Sequence, residues 1–240
     1  MSADLHLEND LAVRLDGPGP HLVAGMDEVG RGALAGPVVV GAAAVWIGDD
    51  TDAGAGAVRQ PVLRDSKALT DRRRRALVPE IRAWAAGVGI GEARAGEVDE
   101  LGITGALALA GKRAWEQLRQ AAGTVPHALI LDGRDDWLTR HGAGVPRPSM
   151  QVKAEDLSAT VAAAAICAKV HRDDLMIALD AEHPQYGWAQ NKGYGAAVHR
   201  AALLEHGTSP YHRLSWNLGV PGTGPAALFA MDVTRGAGEA

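Results

Sequence analysis

The sequence predicts an α/β fold in which helices cover the faces of a mixed β-sheet and a helical extension follows toward the C-terminus. Two observations predict it. Short apolar runs of strand length alternate with longer stretches whose apolar residues recur at helical spacing, in the order strand, strand, helix, strand, helix, strand, strand, helix. The hydrophobic fraction is 47% with only one Phe and three Tyr, so the core must be mainly aliphatic.

The first half of the chain begins with residues 1–20, which are polar, contain Gly and Pro, and are expected to form a flexible leader. The runs 22–26 and 38–46 predict two strands of a hairpin, and an exposed, acidic, glycine-rich loop is expected at 48–57. Thr70 can cap a helix whose apolar residues recur at helical spacing until a glycine ends it.

The other predicted elements are, in order, a strand at 88–90, a helix at 104–121, a strand at 128–131, a strand at 149–153, and helices at 158–181 and 196–206. The longer of the last two helices begins with an alanine run at 162–165, which allows close packing against the sheet. Residues 135–147 are expected to form an irregular loop.

Composition excludes several classes of protein. Cys167 is the only cysteine, so neither an internal disulfide nor a cysteine-based zinc site is possible. No apolar segment approaches the ~18 residues that a membrane span requires, and the acidic N-terminal residues do not resemble a secretion signal. A cytoplasmic protein with no membrane partner is therefore expected, and 240 residues suffice for one large domain.

Acidic residues stand at three places where a strand ends or a helix begins. Asp27 and Glu28 close the first strand, Asp132 precedes a glycine at the end of another, and Glu155 and Asp156 come just before the long helix. Taken alone, the last two places are better explained by turn residues and helix caps than by a metal site. Taken together, converging carboxylates are what a magnesium-dependent phosphodiesterase needs, because Mg²⁺ prefers oxygen ligands.

The acidic doublet is followed directly by Gly30, Arg31 and Gly32. Glycines have no Cβ, so the backbone can approach a ligand closely while Arg31 reaches a phosphate. The formal net charge of −5 argues against binding of nucleic acid through a bulk positive potential, so any phosphate contacts must be local. Acids for a metal beside donors for a sugar-phosphate predict a nucleic-acid enzyme.

The run GMDEVGRGALAGPVV at 25–39 resembles the signature of ribonuclease HII, the bacterial type 2 ribonuclease H. Further blocks resemble that family in the same order, namely DSKAL at 65–69, LDG at 131–133, the alanine-rich segment 153–173 that ends in AKVHRD, NKGYG at 191–195 with His199 after it, and SPYHRLSW at 209–216. The resemblance covers about residues 21–218.

This resemblance implies a ribonuclease H-like fold and four acids that bind two Mg²⁺ or Mn²⁺ ions. Asp27, Glu28 and Asp132 match three of the acids directly. For the fourth, the family usually has Asp at the position where this chain has Glu155, and Asp156 follows it. Counting back from the alanine-rich helix without a gap favours Glu155, and Asp156 is the alternative.

The activity that the resemblance implies is endonucleolytic hydrolysis of RNA–DNA hybrids and of the phosphodiester 5′ to single ribonucleotides in duplex DNA. The ends would be a 3′-hydroxyl and a 5′-phosphate, as ribonucleotide excision and RNA primer removal require. Such duplexes would be the partners of a monomeric protein. The backbone of Gly30, Arg31 and Gly32 would contact the 2′-hydroxyl, and Tyr194 would stack on the sugar that follows the ribonucleotide.

Five cations are candidates for phosphate contacts, although a solvated or intrachain-paired role is an equal alternative for each: Lys67, Lys169, Arg172, Lys192 and Arg213. On this assignment residues 21–190 form the catalytic domain, 191–218 a helical substrate-binding extension, and 219–240 a flexible tail. His199 and His212 lack the spacing of a metal site and are compatible with a structural role or with assistance near the phosphate.

Three other functions are compatible with parts of the pattern. A dinucleotide-binding fold is disfavoured because no G-x-G-x-x-G motif opens a helix after the first strand. A non-catalytic nucleic-acid-binding module is supported only by the departure at Glu155. A preference for long hybrids, as in the related ribonuclease HIII, is disfavoured because no long N-terminal binding domain precedes the first strand.

Overall fold

The computed structural model describes residues 3–17, 19–48, 59–63, 66, 69–141 and 144–225. The chain forms two compact units, each assembled from three segments. The first unit comprises Met1–Val29, Val39–Glu92 and Leu107–His171, and the second comprises Gly30–Val38, Ala93–Ala106 and Arg172–Ala240. This division differs from the predicted boundary at residue 190, because two segments from the first half of the sequence belong to the second unit.

A five-stranded mixed sheet forms the centre of the first unit, as predicted. Its strands are β1 His21–Val29, β2 Val38–Ile47, β3 Gly87–Ala93, β4 Ala128–Asp132 and β5 Ser149–Gln151. Their order across the sheet is β3-β2-β1-β4-β5. The first two strands pair antiparallel, whereas β4 runs parallel to β1 and to β5. The predicted hairpin is therefore confirmed.

Six α-helices accompany these strands in the described residues: α1 His6–Ala12, α2 Asp71–Trp84, α3 Ala95–Ala122, α4 Ala159–Glu182, α5 Trp188–Asn191 and α6 Ala197–His206. The predicted cap of α2 is present, since the backbone N–H of Arg73 donates to Thr70 Oγ1. The predicted helix at 104–121 corresponds to the long second part of α3. Gly102, at φ 68°, separates it from a short first part that the sequence did not predict.

Close packing explains why the sheet and α4 carry so many small residues. A Cβ on Gly25 of β1 would lie 2.4 Å from Thr160 Oγ1, and one on Gly41 of β2 would lie 2.2 Å from the carbonyl oxygen of Ala164. The alanines of the run 162–165 are all buried. The predicted close approach of this helix to the sheet is confirmed, and larger residues at these positions would force the layers apart.

The N-terminal segment differs from the flexible leader that the sequence predicted. Residues His6–Ala12 form α1, in which Glu8 and Ala12 are buried. The backbone N–H of Ala3 donates to the carbonyl of Leu63, and Leu5 packs against the core. The helix forms because its few apolar residues recur on one side, a pattern that is easily missed in a short and mainly polar stretch.

A separate core fills the second unit. Its buried members come from the loop after β1 and from the C-terminal third of the chain: Leu34, Ala35, Met176, Tyr186, Trp188, Ala202, Leu203 and Leu218. Asp99 ties the segment 93–106 to this unit by accepting hydrogen bonds from the backbone N–H groups of Leu214 and Ser215, each at 2.9 Å. The predicted tail 219–240 is described only as far as residue 225.

Candidate active site

Three of the four predicted acids lie at the same end of two neighbouring strands of the first unit. Met26 of β1 pairs with Leu131 of β4 in parallel register. The next residues along these strands are Asp27 and Asp132, and Glu28 follows directly. Because the carboxyl ends of adjacent parallel strands meet at one edge of a sheet, the fold brings these carboxylates together there.

The fourth predicted acid is carried by a tight turn that is held against β4. Lys153 adopts a left-handed conformation at φ 57° and leads into the 3₁₀ turn Ala154–Asp156. The backbone N–H of Ala154 donates to Asp132 Oδ1 over 2.7 Å, which fixes the turn next to the carboxylate of that strand. The residue after this anchor is Glu155, so the turn presents its side chain to the same edge.

The two alternatives for the fourth acid have different environments. Glu155 is 7% exposed, and Ser66 Oγ donates to its Oε2 over 3.4 Å. Asp156 is exposed. The structure therefore brings Glu155, rather than Asp156, into the acidic cluster, which is the arrangement that the register of the sequence favoured.

Ser66 is a member of the site to which sequence reasoning gave no role. Its carbonyl oxygen accepts a hydrogen bond from Arg74 Nη1 of α2 at 2.9 Å, and the same nitrogen donates to the carbonyl of Leu69. Arg74 therefore holds the segment that carries the hydroxyl donor. The signal in the sequence that could have indicated this residue is the DSKAL block at 65–69, one of the blocks on which the family resemblance rests. Asp65 and Lys67 of this block lie outside the described residues.

Burial and the neighbouring carboxylates both affect the pKa of Asp27. Burial raises the pKa of this carboxyl well above its usual value, and the negative charges of Glu28, Glu155 and Asp132 raise it further, in that order. A hydrogen bond from the backbone N–H of Glu28 to Asp27 Oδ1, at 2.8 Å, opposes part of this shift. Burial and the three neighbouring carboxylates together therefore disfavour ionisation of Asp27.

The chemistry of this donor set fits a hard divalent cation. Carboxylate oxygens are the ligands that Mg²⁺ and Mn²⁺ prefer, and a cation would offset the repulsion that raises the pKa of Asp27. Across the part of the chain that the structure describes, no three His, Cys, Asp or Glu side chains stand in a preformed geometry around a metal position. Asp27 and Asp132 instead each turn one oxygen toward a backbone N–H.

In the second unit, two predicted phosphate-binding arginines have a different role. Arg172 and Arg213 are both fully buried. The Arg172 guanidinium donates to the carbonyls of Pro37, Lys192 and Ala35 at 2.9, 2.9 and 3.2 Å. A guanidinium without solvent access that is engaged by three carbonyls cannot meet a phosphate of a bound duplex. The expectation of a phosphate contact is therefore corrected for Arg172.

Arg213 holds the glycine-containing loop that follows the acidic doublet. Its Nη2 donates to the carbonyl of Gly30 at 2.7 Å, its Nη1 to the carbonyl of Arg31 at 2.8 Å, and both Nε and Nη2 lie within hydrogen-bond distance of the carbonyl of Gly36. Burial lowers the pKa of Arg213 to about 9, with a contribution from the charge of Arg172. The predicted phosphate contact is corrected here as well, and the residue instead shapes the loop.

The other predicted substrate-binding residues are placed as follows. Arg31 and Gly32 are exposed and Gly30 is buried at φ 82°, where a Cβ would meet Arg172 Nε at 2.1 Å. Lys169 and Lys192 are half-buried, and Lys192 Nζ donates to the carbonyl of Ala189. Lys67 lies outside the described residues.

Tyr194 is 39% exposed, so its ring is accessible to a ligand. The guanidinium carbon of Arg172 lies 5.4 Å from the centre of the ring, a cation–π contact that restricts its orientation. The carbonyl of Tyr194 lies 2.9 Å from His199 Nδ1. Both ends of this residue are therefore held by buried side chains of the second unit.

The hydrogen bonds assign the protons of two buried histidines. His199 Nδ1 carries a proton because it faces the carbonyl of Tyr194, and His212 Nδ1 lacks one because the backbone N–H of Ser209 donates to it at 2.9 Å. His212 Nε2–H therefore donates to His199 Nε2, 3.0 Å away, which also accepts from Trp188 Nε1. Both rings are neutral and structural, one of the two roles that their positions in the sequence allowed.

Within the described ranges of the chain, no helix is both long and apolar enough to span a bilayer.

Comparisons with known proteins agree with this architecture. A family model described as ribonuclease HII matches residues 24–218. A ribonuclease HII of Streptomyces avermitilis is 45% identical over 201 residues, covering 82% of this chain and 78% of the relative. A ribonuclease HII of Thermus thermophilus is 43% identical over 193 residues, covering 80% of this chain and 84% of the relative.

Among solved structures, ribonuclease H2 from Pyrococcus horikoshii superposes with a TM-score of 0.67 at 24% identity, covering 89% of this chain and 99% of that one. This likeness establishes the ribonuclease H-like fold that the sequence predicted. The family match spans the strands that carry Asp27, Glu28 and Asp132 and the turn that carries Glu155. The chain belongs to the ribonuclease HII family and is a ribonuclease H, an endonuclease of RNA–DNA hybrids.

Proposed function

We propose that this ribonuclease H hydrolyses the phosphodiester 5′ to ribonucleotides, both in RNA–DNA hybrids and at single ribonucleotides in duplex DNA. The products would carry a 3′-hydroxyl and a 5′-phosphate, and the cellular roles would be ribonucleotide excision and RNA primer removal. The observation that carries the proposal is the convergence of Asp27, Glu28, Asp132 and Glu155 at one edge of the sheet, where burial and the three neighbouring charges raise the pKa of Asp27.

We propose that these four carboxylates hold two Mg²⁺ or Mn²⁺ ions. When bound, the ions would supply Lewis-acid activation of water and stabilisation of the leaving oxygen. The chain itself orients the ligands. Backbone N–H groups of Glu28 and Ala154 fix one oxygen each of Asp27 and Asp132, and the Ser66 hydroxyl donates to Glu155. Such hydrogen bonds set the rotamer of a carboxylate before a cation arrives.

Selectivity for a ribonucleotide is assigned to the loop Gly30–Gly32 and to Tyr194, as the family resemblance implied. The carbonyls of Gly30 and Arg31 already accept from Arg213. The contact with the 2′-hydroxyl is therefore proposed to come from backbone N–H groups of this loop, which can donate to the hydroxyl oxygen. Arg31, Lys169, Lys192 and Lys67 remain the proposed phosphate contacts.

The proposal is tested with a duplex DNA that contains one ribonucleotide and carries a label on the modified strand. Incubation with Mg²⁺ or Mn²⁺ is expected to give one nick 5′ to the ribonucleotide, and chelation of the metal is expected to abolish it. A polymerase should extend the new 3′ end, and a ligase should reseal the nick directly, because the 5′ end that it joins carries the phosphate.

The controls are an all-DNA duplex and the Asp27→Asn variant, and neither is expected to show a nick. Cleavage that survives chelation, or cleavage on the 3′ side of the ribonucleotide, would contradict the proposed mechanism. A cytoplasmic location is a further proposal that follows from the composition, and a monomeric state is a further proposal that accompanies the family resemblance.

A further inference from the structure

The N-terminal segment 3–12 lies outside the region that the ribonuclease HII family model matches, which begins at residue 24. It nevertheless contributes a buried charge to the first unit. The side chain of Glu8, on α1, is completely buried. A carboxylate without solvent access is costly unless it is hydrogen-bonded, so its partners indicate what it does.

One oxygen of Glu8 makes three hydrogen bonds around the start of α4. Glu8 Oε1 accepts from Ser158 Oγ at 2.6 Å, from the backbone N–H of Thr160 at 2.8 Å, and from Thr160 Oγ1 at 2.7 Å. No hydrogen-bond partner of Oε2 occurs among the described residues. A negative charge at a helix N-terminus is also favoured by the helix dipole.

The same segment satisfies a further N–H group of the first turn of α4. The backbone N–H of Ala159 donates to the carbonyl of Asp4 at 2.8 Å, while Ser158 Oγ accepts from the backbone N–H of Val161 at 3.2 Å. The first-turn N–H groups of a helix have no partners within the helix itself. Two of those of α4 are therefore capped by residues that lie far away in the sequence.

Ser158 connects this cap to the fourth acid. The backbone N–H groups of Leu157 and Ser158 both donate to the carbonyl of Ala154, at 3.0 and 2.8 Å, which closes the 3₁₀ turn that presents Glu155. The turn is thus fixed at its beginning by Asp132 and at its end by Ser158, whose hydroxyl Glu8 holds.

We propose that Glu8 is a positioning residue for the metal site, which acts through Ser158 and Thr160 to hold the turn that presents Glu155. This rests on the proposed role of Glu155 as a metal ligand. The N-terminal segment is then a built-in support of the active site, although it lies outside the family match and contributes no group that touches metal or substrate.

The test measures Mn²⁺ affinity of the metal-stripped full chain by calorimetry, alongside thermal unfolding, for four variants. Glu8→Ala removes the hydrogen bonds and the charge. Glu8→Gln keeps an acceptor at the Oε1 position and places the amide nitrogen at the Oε2 position, which has no hydrogen-bond partner among the described residues. Asp10→Asn is the matched control, an exposed acid on the same helix. Glu155→Gln tests the ligand itself.

Glu8→Ala is expected to weaken Mn²⁺ binding about tenfold, the usual scale for a residue that orients a metal ligand. Glu8→Gln is expected to retain affinity within about threefold, because the geometry persists. Asp10→Asn is expected to bind as the unmodified chain does. Cleavage by Glu8→Ala should fall at low Mn²⁺ and recover as Mn²⁺ is raised, whereas a purely structural residue would change unfolding alone.

Unchanged Mn²⁺ affinity in folded Glu8→Ala, with weakened affinity in Glu155→Gln, would overturn the role of Glu8 and leave the proposed function standing. Unchanged affinity in Glu155→Gln would overturn the proposed ligand set and the inference with it. If Glu8→Ala fails to fold, Ser158→Ala replaces it, since that variant cuts the link between Glu8 and the turn. Normal Mn²⁺ affinity in Ser158→Ala would then overturn the proposal.

Discussion

Asp132 accepts a hydrogen bond at Oδ1 from the backbone N–H of Ala154, 2.7 Å away, and so joins the last residue of β4 to the turn that carries Glu155. One carboxylate thus has two tasks. Its charge contributes to the acidic cluster around Asp27, and its oxygen anchors the segment that brings the next acid to that cluster.

These two tasks can be separated by substitution. Asp132→Asn keeps an oxygen acceptor for the N–H of Ala154 and removes the charge, so it is expected to fold normally and to lose at least about 100-fold in cleavage rate. Asp132→Ala leaves that N–H unpaired and is expected to lower the free energy of unfolding by a further 1–3 kcal/mol, roughly the cost of an unsatisfied buried group. Urea unfolding compares the two. Equal stability would show that the anchor contributes nothing.

Removing one charge from the cluster is expected to stabilise the metal-free protein. The pKa of Asp27 is raised in the folded state, so the folded protein binds more protons than the unfolded chain above the ordinary pKa of a carboxyl. Stability therefore falls as pH rises through that window. Asp27→Asn should unfold at a higher temperature than the unmodified chain at pH 7 in chelator, by about 2–4 °C for each kcal/mol of relieved repulsion. A melting temperature of Asp27→Asn at pH 7 that is no higher than that of the unmodified chain would contradict this prediction.

Arg213, which is buried in the second unit as Arg172 is, is predicted to contribute to stability. A lysine cannot reproduce the fork with which Arg213 reaches the carbonyls of Gly30, Arg31 and Gly36. Arg213→Lys should lower the free energy of unfolding by about 2–4 kcal/mol, since buried carbonyls lose their donors. Arg119→Lys, at an exposed pair with Glu116, should change it by no more than about 0.5 kcal/mol. If Arg213 instead contacted phosphate, lysine would retain the charge and stability would not change.

Stability is also predicted to fall on mild acidification, through the neutral histidine pair. Burial and the neighbouring His199, with a smaller contribution from His183, lower the pKa of His212 to about 4, and burial and Arg200 lower that of His199. The unfolded chain therefore binds more protons than the folded protein between about pH 4 and the ordinary histidine value near 6.5. The stabilisation is complete above pH 6.5 and is lost toward pH 4.

His212→Asn should flatten this dependence in urea unfolding series, because each unit of pKa depression is equivalent to about 1.4 kcal/mol. His206→Asn is the matched control, at an exposed position in the last turn of α6. A slope that is unchanged in His212→Asn but flattened in His206→Asn would place the titrating group elsewhere.

Sequence reasoning was strongest where one local pattern determines the structure. Apolar runs predict the strand that carries Asp27 and Glu28, and the alanine run predicts that α4 packs closely against the sheet. The close approach of Gly25 to Thr160 agrees with this prediction. The choice of Glu155 over Asp156 came from register alone, and the exposure of the two side chains agrees with it.

The sequence-based predictions that the structure corrects concern residues whose partners lie far away in the sequence. Arginine has the same appearance in a sequence whether it faces a phosphate or a buried carbonyl, so the role of Arg172 and Arg213 depended on where Gly30–Val38 folds. Glu8 lies 150 residues before its partner Ser158, and no local periodicity reports such a pairing. No local pattern indicated that Gly30–Val38 and Ala93–Ala106 belong to the same compact unit as Arg172–Ala240.

The most direct test of the central claim, that four carboxylates at one edge of the sheet perform the cleavage, compares Glu155→Gln with Asp156→Asn. Single-turnover cleavage of a duplex with one ribonucleotide is measured for both at saturating Mn²⁺. The structure predicts a loss of at least about 100-fold in Glu155→Gln and a rate within about twofold of the unmodified chain in Asp156→Asn. Full activity in Glu155→Gln together with its loss in Asp156→Asn would contradict the account.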